Sequence, residues 1–133
     1  MTISRTGIEE TLKRLNDAEN SRPNSSVEET IARIDAVMTD DVEGWHNGVH
    51  IPNREAERQG ERMLFGAMAD FHRDFEKVII DPPNAVFSWK IMGTLGGKPV
   101  EMLGCSIMEF NEEGKTRRYW LYADLAQMPA PGS

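Results

Sequence analysis

The stretch RRYWLYAD, residues 117–124, places a carboxylate in line with aromatic side chains. Alternate residues of a strand share a face, so Trp120, Tyr122 and Asp124 point the same way. A carboxyl group enclosed by apolar side chains loses hydration, which generally raises its pKa. Such a group suits a general acid or base near neutral pH, so Asp124 is the first candidate catalytic residue. The alternative is that Asp124 ends the strand and faces water.

The stretch WHNG, residues 45–48, contains a second candidate for chemistry. The imidazole of His46 could donate a hydrogen bond to a developing enolate oxygen or orient Asp124, and Asn47 could supply another donor. The alternative is a simple turn, because Asn-Gly is a common turn pair and His46 would then be solvated. No cluster of His or Cys has metal-ligand spacing, so the sequence predicts no metal site.

The composition limits the class of partner. The chain has 133 residues, which suits one domain, and a net charge of -7 at pH 7. This charge argues against binding nucleic acid or an anionic membrane surface, since both attract clustered Lys and Arg. The single Cys105 excludes an internal disulfide and fits a reducing compartment. With no apolar signal segment and no apolar run of membrane-spanning length, we expect a cytoplasmic protein.

The spacing of apolar residues predicts helices in the first half of the chain. Helical spacing runs over 8–19, and a capping box at 26–29 begins a second helix. A short strand is expected over 42–46. The polar stretch 47–60 contains Pro and Gly, so it predicts a loop or lid. Helical spacing over 61–75 then predicts a third helix that packs on a sheet.

The second half of the chain predicts β-structure. Four strands are expected over 75–81, 84–95, 98–110 and 115–128, with a frayed tail over 129–133. The order α-α-β-α-β-β-β-β, ending in antiparallel hairpins, predicts an α+β fold. In this fold a curved, mixed or antiparallel sheet wraps on three helices from the N-terminal half.

Four stretches together resemble a known family. They are WHNG at 45–48, DF at 74–75, GTLGGKPVEMLGCSIMEFNEEGK at 93–115 and YWLYAD at 119–124. In this order they resemble the SnoaL-like polyketide cyclases, also called ester cyclase-like proteins, of the nuclear transport factor two-like superfamily. The resemblance covers about residues 27–128 and implies one SnoaL-like domain over 1–133. One departure is that Leu95 stands where the family often has a His.

The resemblance implies a cone-shaped fold whose sheet curls around an apolar pocket. It places Asp124 on the pocket side of the last strand as proton carrier, with His46 as the second catalytic residue. The residues it implies for substrate binding are Asn47, Trp120, Tyr122, Trp45 and Met68. The methionines, Met68 among them, could instead fill gaps in the core. No cofactor is implied.

Three functions are compatible with these observations. The first is a cofactor-free acid/base enzyme acting on a small apolar carbonyl compound, such as a polyketide or steroid-like ring precursor, by cyclisation, isomerisation or dehydration. The second is a non-catalytic module of the same fold that binds a small ligand or another protein, because a fold does not determine function. The third is an epoxide hydrolase-like enzyme, which would need two aspartates bridged by an arginine around a water.

The sheet also predicts an assembly. Helices cover only one face of a curved sheet, and a large apolar patch on the other face usually marks an interface. The side chains assigned to this open face are Tyr119, Leu121 and Ala123 on the last strand and Leu103, Cys105 and Ile107 on its neighbour. The sequence therefore predicts a two-fold homodimer through the sheet.

Overall fold

A computed structural model describes residues 3–124 of the chain. The helices are α1 (Arg5–Asn20), α2 (Val27–Asp35) and α3 (Arg54–Ala67), with a short 3-10 helix at Arg22–Asn24. The strands are β1 (Met38–His46), β2 (Val49–Ile51), β3 (His72–Asp81), β4 (Asn84–Leu95), β5 (Lys98–Phe110) and β6 (Thr116–Ala123). The predicted tail at 129–133 and the end of the predicted last strand lie outside the described residues.

The six strands form one mixed sheet in the order β2-β1-β6-β5-β4-β3. Neighbours pair antiparallel, except that β1 and β6 run parallel. Three helices on a mixed sheet confirm the predicted α+β, nuclear transport factor two-like fold. None of the helices within residues 3–124 has the length and apolar character needed to cross a membrane.

The segment 47–60 is not the predicted loop or lid. It contains β2 and the first half of α3, because Asn53 caps the helix by accepting a hydrogen bond from the Ala56 backbone N–H at 2.9 Å. The helix ends at Ala67, and Phe75 belongs to β3 rather than to a helix reaching that far. The apolar residues of 61–75 have helical spacing although the helix ends within this range, so the spacing past Ala67 is a coincidence. The capping box before α2 is confirmed, with Ser26 and Glu29 each accepting from the other's backbone.

The core lies between the helices and the concave face of the sheet. Ile8 and Leu15 on α1 are buried, as are Phe87 and Trp89 on β4. Burial of such a side chain contributes about 1.5–3 kcal/mol each, so this layer holds the helices against the sheet. The space they leave near α3 forms the cavity described below.

The faces of β6 are opposite to those predicted. Tyr119 is buried on the concave face, whereas Tyr122, an odd number of residues away, is 49% exposed on the convex face. Leu121 and Ala123 share the concave face with Tyr119 and pack against the core. These three residues therefore do not belong to the open face, although Leu103, Cys105 and Ile107 of β5 do.

Two glycines allow aromatic rings to lie flat over neighbouring strands. Gly104 pairs with Trp89, and Gly44 pairs with Tyr119. A Cβ on Gly104 would lie 2.3 Å from the Trp89 ring, and one on Gly44 would lie 2.2 Å from the Tyr119 ring. Both rings would have to shift if either glycine carried a side chain, so these positions shape the concave face.

We expect Gly104→Ala to lower the free energy of unfolding by about 1–3 kcal/mol, because the added methyl group displaces the Trp89 ring. Urea unfolding monitored by circular dichroism measures this. The control is Gly66→Ala on α3, where an added Cβ meets nothing within 4 Å. It should raise the free energy of unfolding by up to about 1 kcal/mol, since Ala favours helix over Gly. Equal stability of Gly104→Ala and the wild type would contradict the close approach.

Candidate active site

A cavity of about 260 Å³ lies between the helices and the concave face of the sheet. Most of its lining is apolar: Leu15, Ile34, Met38, Leu64, Phe65, Trp89, Ile91, Met102, Met108, Leu121 and Ala123. The side chains with polar groups in the lining are Glu19, His46, Glu57, Glu61, Arg73, Ser106 and Tyr119. An apolar cavity with a few convergent polar groups is the usual form of a small-molecule site.

Two glutamates on α3 form a carboxyl pair, Glu57 and Glu61. They are one helical turn apart, so they lie on the same face of the helix. Arg54, on the same face, donates to both oxygens of Glu61, with each N–O distance 3.1 Å. Arg54 also forms an ion pair with Asp35 of α2. Burial raises the pKa of Glu61 even though Arg54 opposes the shift.

Glu57 is the carboxyl of this pair that holds a proton. Burial, followed by repulsion from Glu61, raises the pKa of Glu57 to about 9. Its Oε2 is buried, and no hydrogen-bond donor among residues 3–124 reaches it. At neutral pH, Glu57 is therefore a protonated acid that lines an apolar cavity.

Glu19 of α1 and Arg73 of β3 form a second buried ion pair at the cavity. The Nε of Arg73 donates to Oδ1 of Asn16 at 3.2 Å, and its guanidinium lies 5.0 Å from the centre of the Phe75 ring. Burial raises the pKa of Glu19, and the charge of Arg73 only partly offsets this. The cation of Arg73 is thus already neutralised by its own carboxylate.

His46 and Tyr119 form an imidazole–phenol pair on the sheet side of the cavity. The Nε2 of His46 lies 3.0 Å from the hydroxyl oxygen of Tyr119. Parallel pairing of β1 with β6 brings the two residues together. Burial lowers the pKa of His46, so its imidazole is neutral at pH 7 and can accept a proton. His46 lies in the pocket as the sequence predicts, and its catalytic role stays a prediction.

Asp124 lies outside the cavity and is exposed. It follows the end of β6, and its backbone N–H donates to the carbonyl of Leu103 at 3.4 Å. It borders a shallow surface depression together with Asn47 and Tyr122. The prediction that Asp124 faces the pocket is therefore wrong, because the concave face of β6 carries the odd-numbered residues. Its role as proton carrier stays an untested prediction.

Asn47 has a structural place at the turn between β1 and β2. Its side chain accepts from the backbone N–H of Ala123 and donates to the carbonyl of Ala123, both at 3.0 Å. Its φ of 49° is in the left-handed region, which Asn tolerates in turns. These contacts tie the turn to the end of β6 and leave Asn47 outside the cavity lining.

The other residues predicted to bind substrate also lie elsewhere. The Trp45 ring stacks between Trp120, at 5.2 Å, and His50, at 5.1 Å, and Tyr122 follows Trp120 on the same convex face. Met68 is fully buried in the core against Gly93. None of these four is in the cavity lining, so the prediction that they form the pocket wall is wrong.

Sequence reasoning missed the acidic side of the cavity. The residues concerned are Glu19, Arg54, Glu57, Glu61 and Arg73. The sequence predicts a polar loop over 47–60 and starts the third helix at Glu61, so the helical spacing of the charges over 54–61 was hidden. As a helix, the stretch 54–61 places an arginine and two glutamates on one face. This spacing is the feature of the sequence that indicates the acidic side of the cavity.

A second depression, about 380 Å³, lies between α1 and β3. Apolar side chains contribute to its lining, but two of its charged side chains, Arg5 and Glu9, are more than half exposed and pair with each other. It lacks the buried acid and base of the first cavity. Within residues 3–124, no group of three His, Cys, Asp or Glu side chains is placed to hold a metal ion.

Comparison with known proteins gives a family and a fold. The family described as SnoaL-like domain matches residues 13–119. No curated protein matches the chain.

Three solved structures illustrate the fold. An NTF2-like protein of unknown function from Exiguobacterium sp. 255-15 is 20% identical with a TM-score of 0.75, covering 86% of this chain and 98% of its own. A putative SnoaL-like polyketide cyclase from Jannaschia sp. CCS1 is 16% identical with a TM-score of 0.74, covering 94% of each chain. A LEH-like epoxide hydrolase from M. tuberculosis is 17% identical with a TM-score of 0.72, covering 92% of this chain and 86% of its own. At these identities the similarity shows the fold alone.

Proposed function

Because the chain belongs to the family of SnoaL-like domains, we propose that it is a cofactor-free acid/base enzyme acting on a small apolar carbonyl compound. The observation that carries this proposal is that one cavity is lined by two uncharged groups, of which one can donate a proton and the other can accept one. Glu57 keeps its proton up to about pH 9, and His46 loses its proton below its usual range. Environments that push two pKa values apart in this way assign the acid and the base.

The proposed reaction begins with the carbonyl oxygen of the substrate facing Glu57. The neutral imidazole of His46 takes a proton from the carbon next to the carbonyl, and Glu57 gives its proton to the carbonyl oxygen. The products of this step are an enol, an imidazolium and an ionised Glu57. The nearby charge of Arg54 favours the ionised form of Glu57, so the step is supported electrostatically.

The enol can then follow three courses with the same two residues. Return of the proton to a different carbon isomerises the substrate. Attack of the enol carbon on a second carbonyl closes a ring, while the enol O–H returns its proton to Glu57 and the imidazolium protonates the new alkoxide. Loss of a β-hydroxyl as water dehydrates the substrate, with the imidazolium protonating the leaving oxygen and the enol proton returning to Glu57. Tyr119 holds the imidazole through its hydroxyl and can relay the proton.

Epoxide hydration is a second candidate, favoured by one observation. Arg54 lies between two carboxylates, Asp35 and Glu61, next to the protonated Glu57. Glu57 would give its proton to the epoxide oxygen as the C–O bond breaks. Glu61 would take a proton from the water whose oxygen bonds to that carbon. Transfer of a proton from Glu61 to Glu57 then restores both groups, and the product is a diol.

We expect Glu57→Gln and His46→Gln each to slow enolisation by roughly a hundred- to ten-thousand-fold, because each removes one proton carrier. Loss of deuterium from α-deuterated cyclohexanone in water, followed by NMR, measures this. Both changes keep a polar side chain of similar size, and melting temperatures check that the fold is intact. The control is Asp124→Asn, which should exchange at the wild-type rate.

The pH dependence of the same rate gives an independent readout. The rate should rise with pH as His46 loses its proton below pH 6.5, and fall as Glu57 loses its proton near pH 9. Loss of exchange in Asp124→Asn with normal exchange in Glu57→Gln would transfer the acid role to Asp124. Undetectable exchange in the wild type, together with no diol from cyclohexene oxide, would favour the non-catalytic binding module.

We also propose a homodimer through the convex face of the sheet. This face carries Trp45, Leu103, Cys105, Ile107, Trp120 and Tyr122. Leu103 is 46% exposed and Tyr122 is 49% exposed, so the patch is apolar and open. Isologous pairing of this face with a second copy would cover it.

We expect the wild type to sediment as a dimer at tens of micromolar, on the order of usual interface affinities. Tyr122→Glu should convert it to a monomer, because it places a charge on the apolar patch. The matched control is Met63→Glu, which changes an exposed residue on α3 and should leave the dimer intact. A monomeric wild type in analytical ultracentrifugation would refute the dimer.

A further inference from the structure

The volume of the cavity limits the size of its ligand. An apolar cavity of roughly 150 Å³ holds one benzene molecule, so a cavity of about 260 Å³ holds about ten non-hydrogen atoms. This is slightly below the usual range for drug-sized ligands. One substituted ring or two small fused rings fit within it, whereas a folded polyketide chain or a four-ring steroid skeleton does not.

The charge balance of the wall excludes an anionic ligand. The cation of Arg54 is held by Glu61 and Asp35, and that of Arg73 is held by Glu19. A ligand carboxylate in the cavity would therefore meet no free arginine and would lie near ionised carboxylates. Burying an anion without a partner is strongly unfavourable.

Two polar sites in the lining can bind a ligand oxygen, and they lie on different walls of the cavity. On α3, the protonated Glu57 offers an O–H donor to an oxygen atom. On the sheet, the His46–Tyr119 pair offers a second polar contact. Ser106 on the sheet has its oxygen engaged, since its hydroxyl accepts from the indole N–H of Trp89 at 2.9 Å, and it retains only its O–H. Most of the remaining lining is apolar.

We infer that the ligand is an uncharged compound of one or two rings with two oxygen functions, one bound by Glu57 and one by the His46–Tyr119 pair. This inference rests on the proposed function insofar as both use this cavity as the substrate site. It replaces the larger ring precursors suggested by family resemblance with a smaller class. A ketone with a hydroxyl or second carbonyl across the ring meets all three requirements of size, charge and polarity.

Three probes of about the same size, roughly ten non-hydrogen atoms each, separate the requirements. They are 4-hydroxyacetophenone, which is uncharged with two oxygen functions; 4-hydroxybenzoate, which is anionic; and 4-isopropylphenol, which has one oxygen. Calorimetric titration at pH 6.5 should show 4-hydroxyacetophenone binding at least about ten-fold more tightly than 4-isopropylphenol, as one lost hydrogen bond implies. Binding of 4-hydroxybenzoate should be undetectable.

Two variants place this selectivity at Glu57. Glu57→Leu removes the donor, so the preference for 4-hydroxyacetophenone over 4-isopropylphenol should fall about ten-fold. Glu57→Gln retains an N–H donor and should keep the preference. Equal binding of these two probes by the wild type, or tighter binding of 4-hydroxybenzoate, would overturn the inference. Selective binding of 4-hydroxyacetophenone without enolisation would uphold it while removing the catalytic proposal.

Discussion

Three carboxyl groups and two guanidinium groups share the buried acidic side of the cavity, and this imbalance determines its chemistry. Arg73 neutralises Glu19, and Arg54 neutralises Glu61. Glu57 is left without a cation of its own, and burial next to Glu61 makes its ionisation costly. A carboxyl in that position keeps its proton at neutral pH. The acid of the proposed mechanism thus arises from a shortage of positive charge.

The fold places this acid across the cavity from a base. One turn of α3 separates Glu57 from Glu61, and parallel pairing of β1 with β6 brings His46 to Tyr119. The buried rings of Phe65 and Trp89 line the cavity beside these polar groups. Neither pair needs a mobile lid to form, because both are held on regular elements with buried neighbours.

Much of the fold was predictable because local signals agreed with it. The capping box at Ser26 and the turns between the last strands mark element ends directly in the sequence. The start of α3 was not predictable from the sequence. Pro52, Asn53 and a run of charged residues are typical of both a loop and a capped helix. Only packing of that helix against the sheet decides between the two.

The candidate site was less predictable than the fold. Both faces of β6 are apolar, so alternation alone could not tell whether Tyr119 or Trp120 faces the cavity. The family resemblance predicts that Asp124 faces the pocket, but the structure places it at the surface. Buried charge on α3 was hidden for a related reason: a glutamate in a polar stretch normally faces water, and only the tertiary structure reveals its burial.

The ionisation state of Glu57 is the central claim, and a carbon-13 NMR titration of side-chain carboxyls tests it most directly. Protein labelled at the Cδ carbon of glutamate would be titrated from about pH 4 to about pH 10. This range includes both ordinary and raised carboxyl pKa values. Comparison with Glu57→Gln assigns the resonance. We expect a midpoint near pH 9 for Glu57. A midpoint in the ordinary range of a glutamate would mean that Glu57 is ionised at neutral pH, and would contradict its role as the acid.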